Sequence, residues 1–129
     1  MSKFSIDINT IMNADTSLNS YADGGIYCEH LPDSYSLEKT HLIFTYRRSE
    51  GINSIADKNL MLGYDLTVKI ISNSTDTIFD ASERLEDYLT IIDDGSIRDI
   101  QLINDQRAVD LEKNIYENVL EFNVLYQKE

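Results

Sequence analysis

Alternation of apolar and polar residues is clearest over residues 63–71, where Tyr64, Leu66, Val68 and Ile70 take one side and Asp65, Thr67 and Lys69 the other. A two-residue period with one apolar side predicts a strand in an antiparallel sheet covered on one face. Past the turn signal Ser72-Asn73-Ser74, the period changes. Ile78, Ala81, Ser82, Leu85, Tyr88, Leu89 and Ile92 recur at helical spacing, which predicts an amphipathic helix over residues 77–92. Ser74 or Thr75 supplies its cap, and Gly95 offers the left-handed stop. Its outer face carries Asp80, Glu83, Arg84, Glu86 and Asp87.

The remaining segments are shorter. Phe4, Ile8, Ile11 and Met12 share a helical face over residues 4–12, with Ser2 or Ser5 as cap and Asp7 suited to the positive helix start. Phe4, Ile6 and Ile8 also alternate, which leaves a strand open. Asp15 reads as a second cap, starting a short turn that ends before Gly24-Gly25. Residues 26–30 form a short strand stopped by Pro32. Residues 40–47 form another, with Leu42, Phe44 and Tyr46 opposite Ile43 and Thr45. Residues 48–59 read as a long polar loop, and such loops in compact domains are often functional. A strand over 97–103 puts Ile100 and Leu102 on its core side, residues 104–114 break the pattern, and 116–126 close the chain as a strand. The order is helix, three strands, helix, two strands. It predicts an α+β fold over residues 1–129 as one domain: a single mostly antiparallel β-sheet with an N-terminal helix and one long amphipathic helix packed on one face.

Composition changes this picture little. The chain has 129 residues, 42% hydrophobic and 26% charged, which suits one globular core and not a disordered chain. Cys28 is the one cysteine, so no internal disulfide forms and a reducing compartment is expected. No secretory leader is expected at the start, and no apolar run approaches the ~18 residues of a membrane span. Charge matters more. The net charge is −12, from 23 acids against 11 bases, and only Arg47-Arg48 are adjacent bases. That argues against gripping a phosphate backbone, which needs clustered Lys and Arg.

Reactive constellations are scarce. Cys28 and His30 share a strand face if the strand reaches that far, and a Cys/His pair is a nucleophile and base or half a zinc site. No further ligands stand at a recognisable spacing, and His41 lies apart. Packing positions are the simpler account. Asp93-Asp94-Gly95 suggests a calcium loop, but aligning Gly95 puts Thr90, Ile92 and Gln101 where ligands belong, and the match fails. No phosphate-binding glycine loop and no G-x-S-x-G occurs. Tyr46, Tyr64, Tyr116 and Tyr126 fall in the expected strands, where aromatic residues fit sheet surfaces. No catalytic, cofactor-binding or metal-binding residue is assigned, and no enzyme activity is expected.

Several local phrases resemble the tail terminator, or tail completion, proteins of long-tailed bacteriophages, which join head and tail. The resemblance rests on the opening helix with Met12-Asn13-Ala14-Asp15-Thr16-Ser17-Leu18, then Gly24-Gly25-Ile26-Tyr27 and Leu31-Pro32. It continues through Leu42-Ile43-Phe44-Thr45-Tyr46, Tyr64-Asp65-Leu66-Thr67-Val68, one amphipathic helix and two closing strands. It covers nearly the whole chain, in apolar patterns and turn residues and not in reactive groups. It implies a virion protein in the tail or neck, assembled in the host cytoplasm as a homo-oligomeric ring of six copies. Its partners would be the tail tube protein and the head-connector or neck proteins. DNA would pass through without specific binding, and no cofactor or membrane is involved. The 48–59 loop, with Arg48, Glu50, Gly51, Ile52, Ile55 and Asp57, is the candidate for reaching a neighbouring subunit. The alternatives are another neck or baseplate adaptor, an acidic DNA-mimic inhibitor, and a small enzyme built on Cys28 and His30.

Overall fold

The computed structural model describes residues 3–31, 38–53, 61–93, 96–110 and 115–127. The elements run α1 (Lys3–Ala14), α2 (Thr16–Tyr21), β1 (Gly25–Cys28), β2 (His41–Asn53), β3 (Met61–Ser72), α3 (Thr75–Leu89), β4 (Ile97–Asp110) and β5 (Ile115–Gln127). The five strands form one sheet in the order β1-β2-β3-β5-β4. Every neighbouring pair is antiparallel except β1 and β2, which run parallel. This is the expected α+β class with one mixed sheet.

One face of the sheet holds the core, and the ladder shows why. Phe44 lies opposite Val68 and Val68 opposite Leu120; Tyr46 lies opposite Leu66 and Leu66 opposite Phe122. These rows meet Phe4, Ile8 and Met12 of α1, Leu18 of α2, and Ile78, Ala81, Leu85 and Leu89 of α3 in a single apolar cluster. Removing that much apolar surface from water is the main term holding the fold together. Among the described residues, helices cover this face alone.

Each helix is placed by local chemistry. Ser74 caps α3, its hydroxyl accepting from the Thr77 N–H at 3.3 Å. Asp15 caps α2, its Oδ2 accepting from the Leu18 N–H at 3.1 Å. The Asp15 carboxylate also takes both nitrogens of Arg84, Nε and a terminal NH2, at 2.8 Å each. This fork-to-fork pair ties α2 to α3, and Arg84 holds the Asp15 carboxyl below its ordinary range. Arg84 is therefore half-buried and not part of a free outer face. Ser5, a candidate cap, instead lies buried inside α1. Asp7 accepts the Tyr126 hydroxyl at 2.7 Å and does not serve the helix start.

Boundaries differ from expectation in four places. The helix α3 stops at Leu89, where the Thr90 hydroxyl donates to the Glu86 carbonyl at 2.6 Å, so it does not run to Ile92 or end on Gly95, which lies outside the described residues. The short strand ends at Cys28 because Glu29 takes a left-handed backbone, φ 74°, ahead of Pro32. The supposed loop from residue 48 is strand as far as Asn53, and the supposed break after Ile103 is strand as far as Asp110. In both, a polar stretch is carried by pairing with an apolar-patterned partner, β3 or β5, which polarity alone does not reveal.

At the entry to β1, two glycines are needed for different reasons. Gly25 has φ +106°, a conformation that side chains disfavour, and a Cβ at Gly24 would collide with the His41 ring and the Thr40 carbonyl.

Candidate assembly surface

The uncovered face of the sheet carries Ile43, Thr45 and Arg47 on β2, Asp65, Thr67, Lys69 and Ile71 on β3, and Glu117, Val119, Glu121 and Asn123 on β5. Its charges are matched across strands. Arg47 lies opposite Asp65 in register and meets it at 3.2 Å, and Lys69 meets Glu117 at 3.2 Å. Such exposed pairs add little to stability. A trough of about 490 Å³ crosses this face, lined by Thr45, Arg47, Asp65, Thr67, Glu121 and Ile103 among others. It is shallow and polar, unlike the apolar clefts that enclose small ligands.

The two sides of the sheet end differently. On one side the β1 ladder stops at Cys28 opposite Phe44, while β2 continues to Asn53. On the other, β4 is the outermost strand for its whole length. The register slips between Arg48 and Asn53 on β2, and between Ile97 and Asp99 and between Leu102 and Asn104 on β4. Bulges and charges of this kind keep an open edge from pairing indiscriminately. At the second β4 slip, Ile103 stands 58% exposed beside the trough.

The residues singled out in the sequence fall as follows. Arg48, Glu50, Gly51 and Ile52 lie in β2, on the strand that outruns β1, and not in a loop. Ile55 and Asp57 lie outside the described residues. Cys28 is half-buried against the core, and burial, then Glu29, pushes its thiol up. That is the reverse of the lowered pKa that makes a reactive thiolate. His30 lies beyond β1 and is exposed, and His41 is buried beside Gly24 and Tyr27. Asp93 is exposed, 3.8 Å from Arg98. Among the described residues, no three His, Cys, Asp or Glu side chains converge as a metal ion requires. No helix there is long and apolar enough to cross a membrane. The strand tyrosines behave as packing residues: Tyr64 stacks on Phe4 at 3.9 Å between ring centres, with Tyr46 and Tyr126 around them. The part of this surface that local sequence pattern does not mark is β4 beyond Ile103. The signal that was available is the length of β5, which needs a partner of equal length.

No family model matches the chain, and no curated protein is similar enough to match. Among solved structures, a chain from the virion of a native gene transfer agent (GTA) particle has the same fold. The TM-score is 0.69 over 92% of this chain and 90% of that one, at 12% sequence identity.

Proposed function

We propose that the protein is a structural subunit of a phage-like virion, forming a ring at the end of the tail tube where the tail joins the head or neck. The supporting observation is the shared fold, which spans nearly the full length of both this chain and a chain of the gene transfer agent virion. The local phrases that resemble tail terminator proteins point the same way. Copies of this chain, the tube protein and neck proteins are its partners. The mechanism is assembly, with no bond made or broken and no cofactor. Closed cyclic symmetry satisfies every copy's two unlike surfaces at once. The net charge of −12 suits a ring whose bore passes DNA, since like charge keeps the strand from sticking.

The deciding experiment is native mass and negative-stain imaging of the purified protein, alone and with tail tubes. Rings of uniform copy number, six by the family resemblance, that cap tube ends are expected. A monomer at every concentration, with or without tubes, rules the reading out.

A further inference from the structure

If the protein forms a ring, the sheet itself indicates which surfaces meet. β2 and β5 run one way and β3 and β4 the other, as the antiparallel pairings require. A rotation about an axis along the strands preserves those directions. It sets the outermost strand β4 of one copy antiparallel to β2 of the next.

The heights also agree. Across the ladder, Arg47 is level with Asp65, Asp65 with Asn123, and Asn123 with Gln101. One step along, Thr45 is level with Thr67, Thr67 with Glu121, and Glu121 with Asn104. The part of β2 that outruns β1 therefore stands at the height of residues 97–104 of β4. β1 shields the rest of β2, and among the described residues no strand pairs with this stretch on that side.

We infer that neighbouring copies join by laying residues 97–104 of β4 antiparallel along the end of β2 beyond Phe44, so that the sheets run on from copy to copy. This rests on the ring reading above. Backbone hydrogen bonds of an added strand supply the affinity, and side chains set the register. Two features fit a second copy as occupant. Ile103, 58% exposed at the edge, would be covered. Arg47 on β2, level with Gln101, would lie one step along from Asp99, an acid of that edge.

The test is disulfide trapping in a Cys28→Ser background, since adjacent antiparallel strands lie about 4.5–5.5 Å apart, inside the span of a disulfide. Arg47→Cys is combined with Gln101→Cys, and separately with Ile103→Cys. Mild oxidation of ring fractions is expected to give a ladder of covalent multimers up to the ring number for at least one pair, and none for any single variant. Intact rings with no ladder from either pair overturn the edge pairing and leave the ring reading standing. Dimers from single variants overturn it as well, because they indicate a two-fold contact. Monomers alone, by native mass of the unaltered protein, remove both. Hydrogen exchange on unaltered rings gives an independent check: amides of 97–104 exchange more slowly in the ring than after dissociation, and equal rates count against the inference.

Discussion

The two faces of the sheet are built to different rules. On the helix side, the central rows are apolar and closed: Phe44, Val68 and Leu120 are fully buried, as are Phe4, Ile8 and Met12 above them. On the other side, Thr45, Thr67 and Glu121 occupy the alternate positions of the same strands, and charges meet in exposed pairs. The same backbone thus carries folding on one face, and under the proposed ring it is the other face, with the two edges, that meets neighbours. Substitutions should sort accordingly: those on the closed face change the stability of a subunit, and those on the open face change how subunits associate.

The sharpest way to break this division is Phe4→Ala. It empties the centre of the ring cluster formed with Tyr46, Tyr64 and Tyr126, and a loss of about 3–5 kcal/mol is expected in urea denaturation. Asn118 comes next. It stands on the closed face opposite Ile70 and donates to the Ser82 hydroxyl of α3 at 2.5 Å. Asn118→Ala leaves that buried hydroxyl without its partner, for about 1–3 kcal/mol by the same measurement.

Tyr126→Phe removes the hydroxyl that donates to Asp7, a loss of about 1 kcal/mol at neutral pH. Burial, then the Asp7 carboxylate, pushes the Tyr126 phenol up to about 12 from 10.0. The folded state therefore keeps its proton where the unfolded chain gives it up, and stability falls as pH rises from 10 to about 12. The Phe variant should lose that part of the alkaline slope. Asp15 has the opposite sign. Its carboxyl is lowered from 3.8, so its contribution is present above that pH and is lost as pH falls through the folded value. Asp15→Asn should flatten the acid limb of a stability-against-pH curve, and an unchanged limb would place the salt link outside the folding balance.

The smallest effects belong to the open face. Lys69→Ala, which breaks the exposed link to Glu117, should change subunit stability by no more than about 0.5 kcal/mol, with the difference fading in salt. A loss as large as that of Phe4→Ala would mean that the open face also carries the fold.

Much of this architecture is legible in the sequence, and the reason is the closed face. Tyr64, Leu66, Val68 and Ile70 alternate because one side of β3 is buried, and Ile78, Ala81, Leu85 and Leu89 recur because one stripe of α3 is buried. Where burial ends, so does the signal. Residues 104–110 are strand because β5 pairs with them, and β2 reaches Asn53 through a register slip that ends opposite Leu62; pairing partners leave no local mark. The parallel β1 is placed by the Gly24-Gly25 turn against His41, a contact that periodicity does not encode. The candidate surface is legible only in part: the polarity of Arg48, Glu50, Gly51 and Ile52 predicts a loop where the chain forms a strand, and no periodicity marks the β4 edge beyond Ile103.

Phe4, in the first helix, sits against Tyr126, one residue from the end of the last described strand, and Asp7 is clasped by the same tyrosine. The opening helix has no finished seat until that closing strand is laid down. The closed face is therefore completed only when β5 joins the sheet. Incomplete chains lack both the seat and β5, on which β4 lies, and so have no formed outer edge to offer a neighbour.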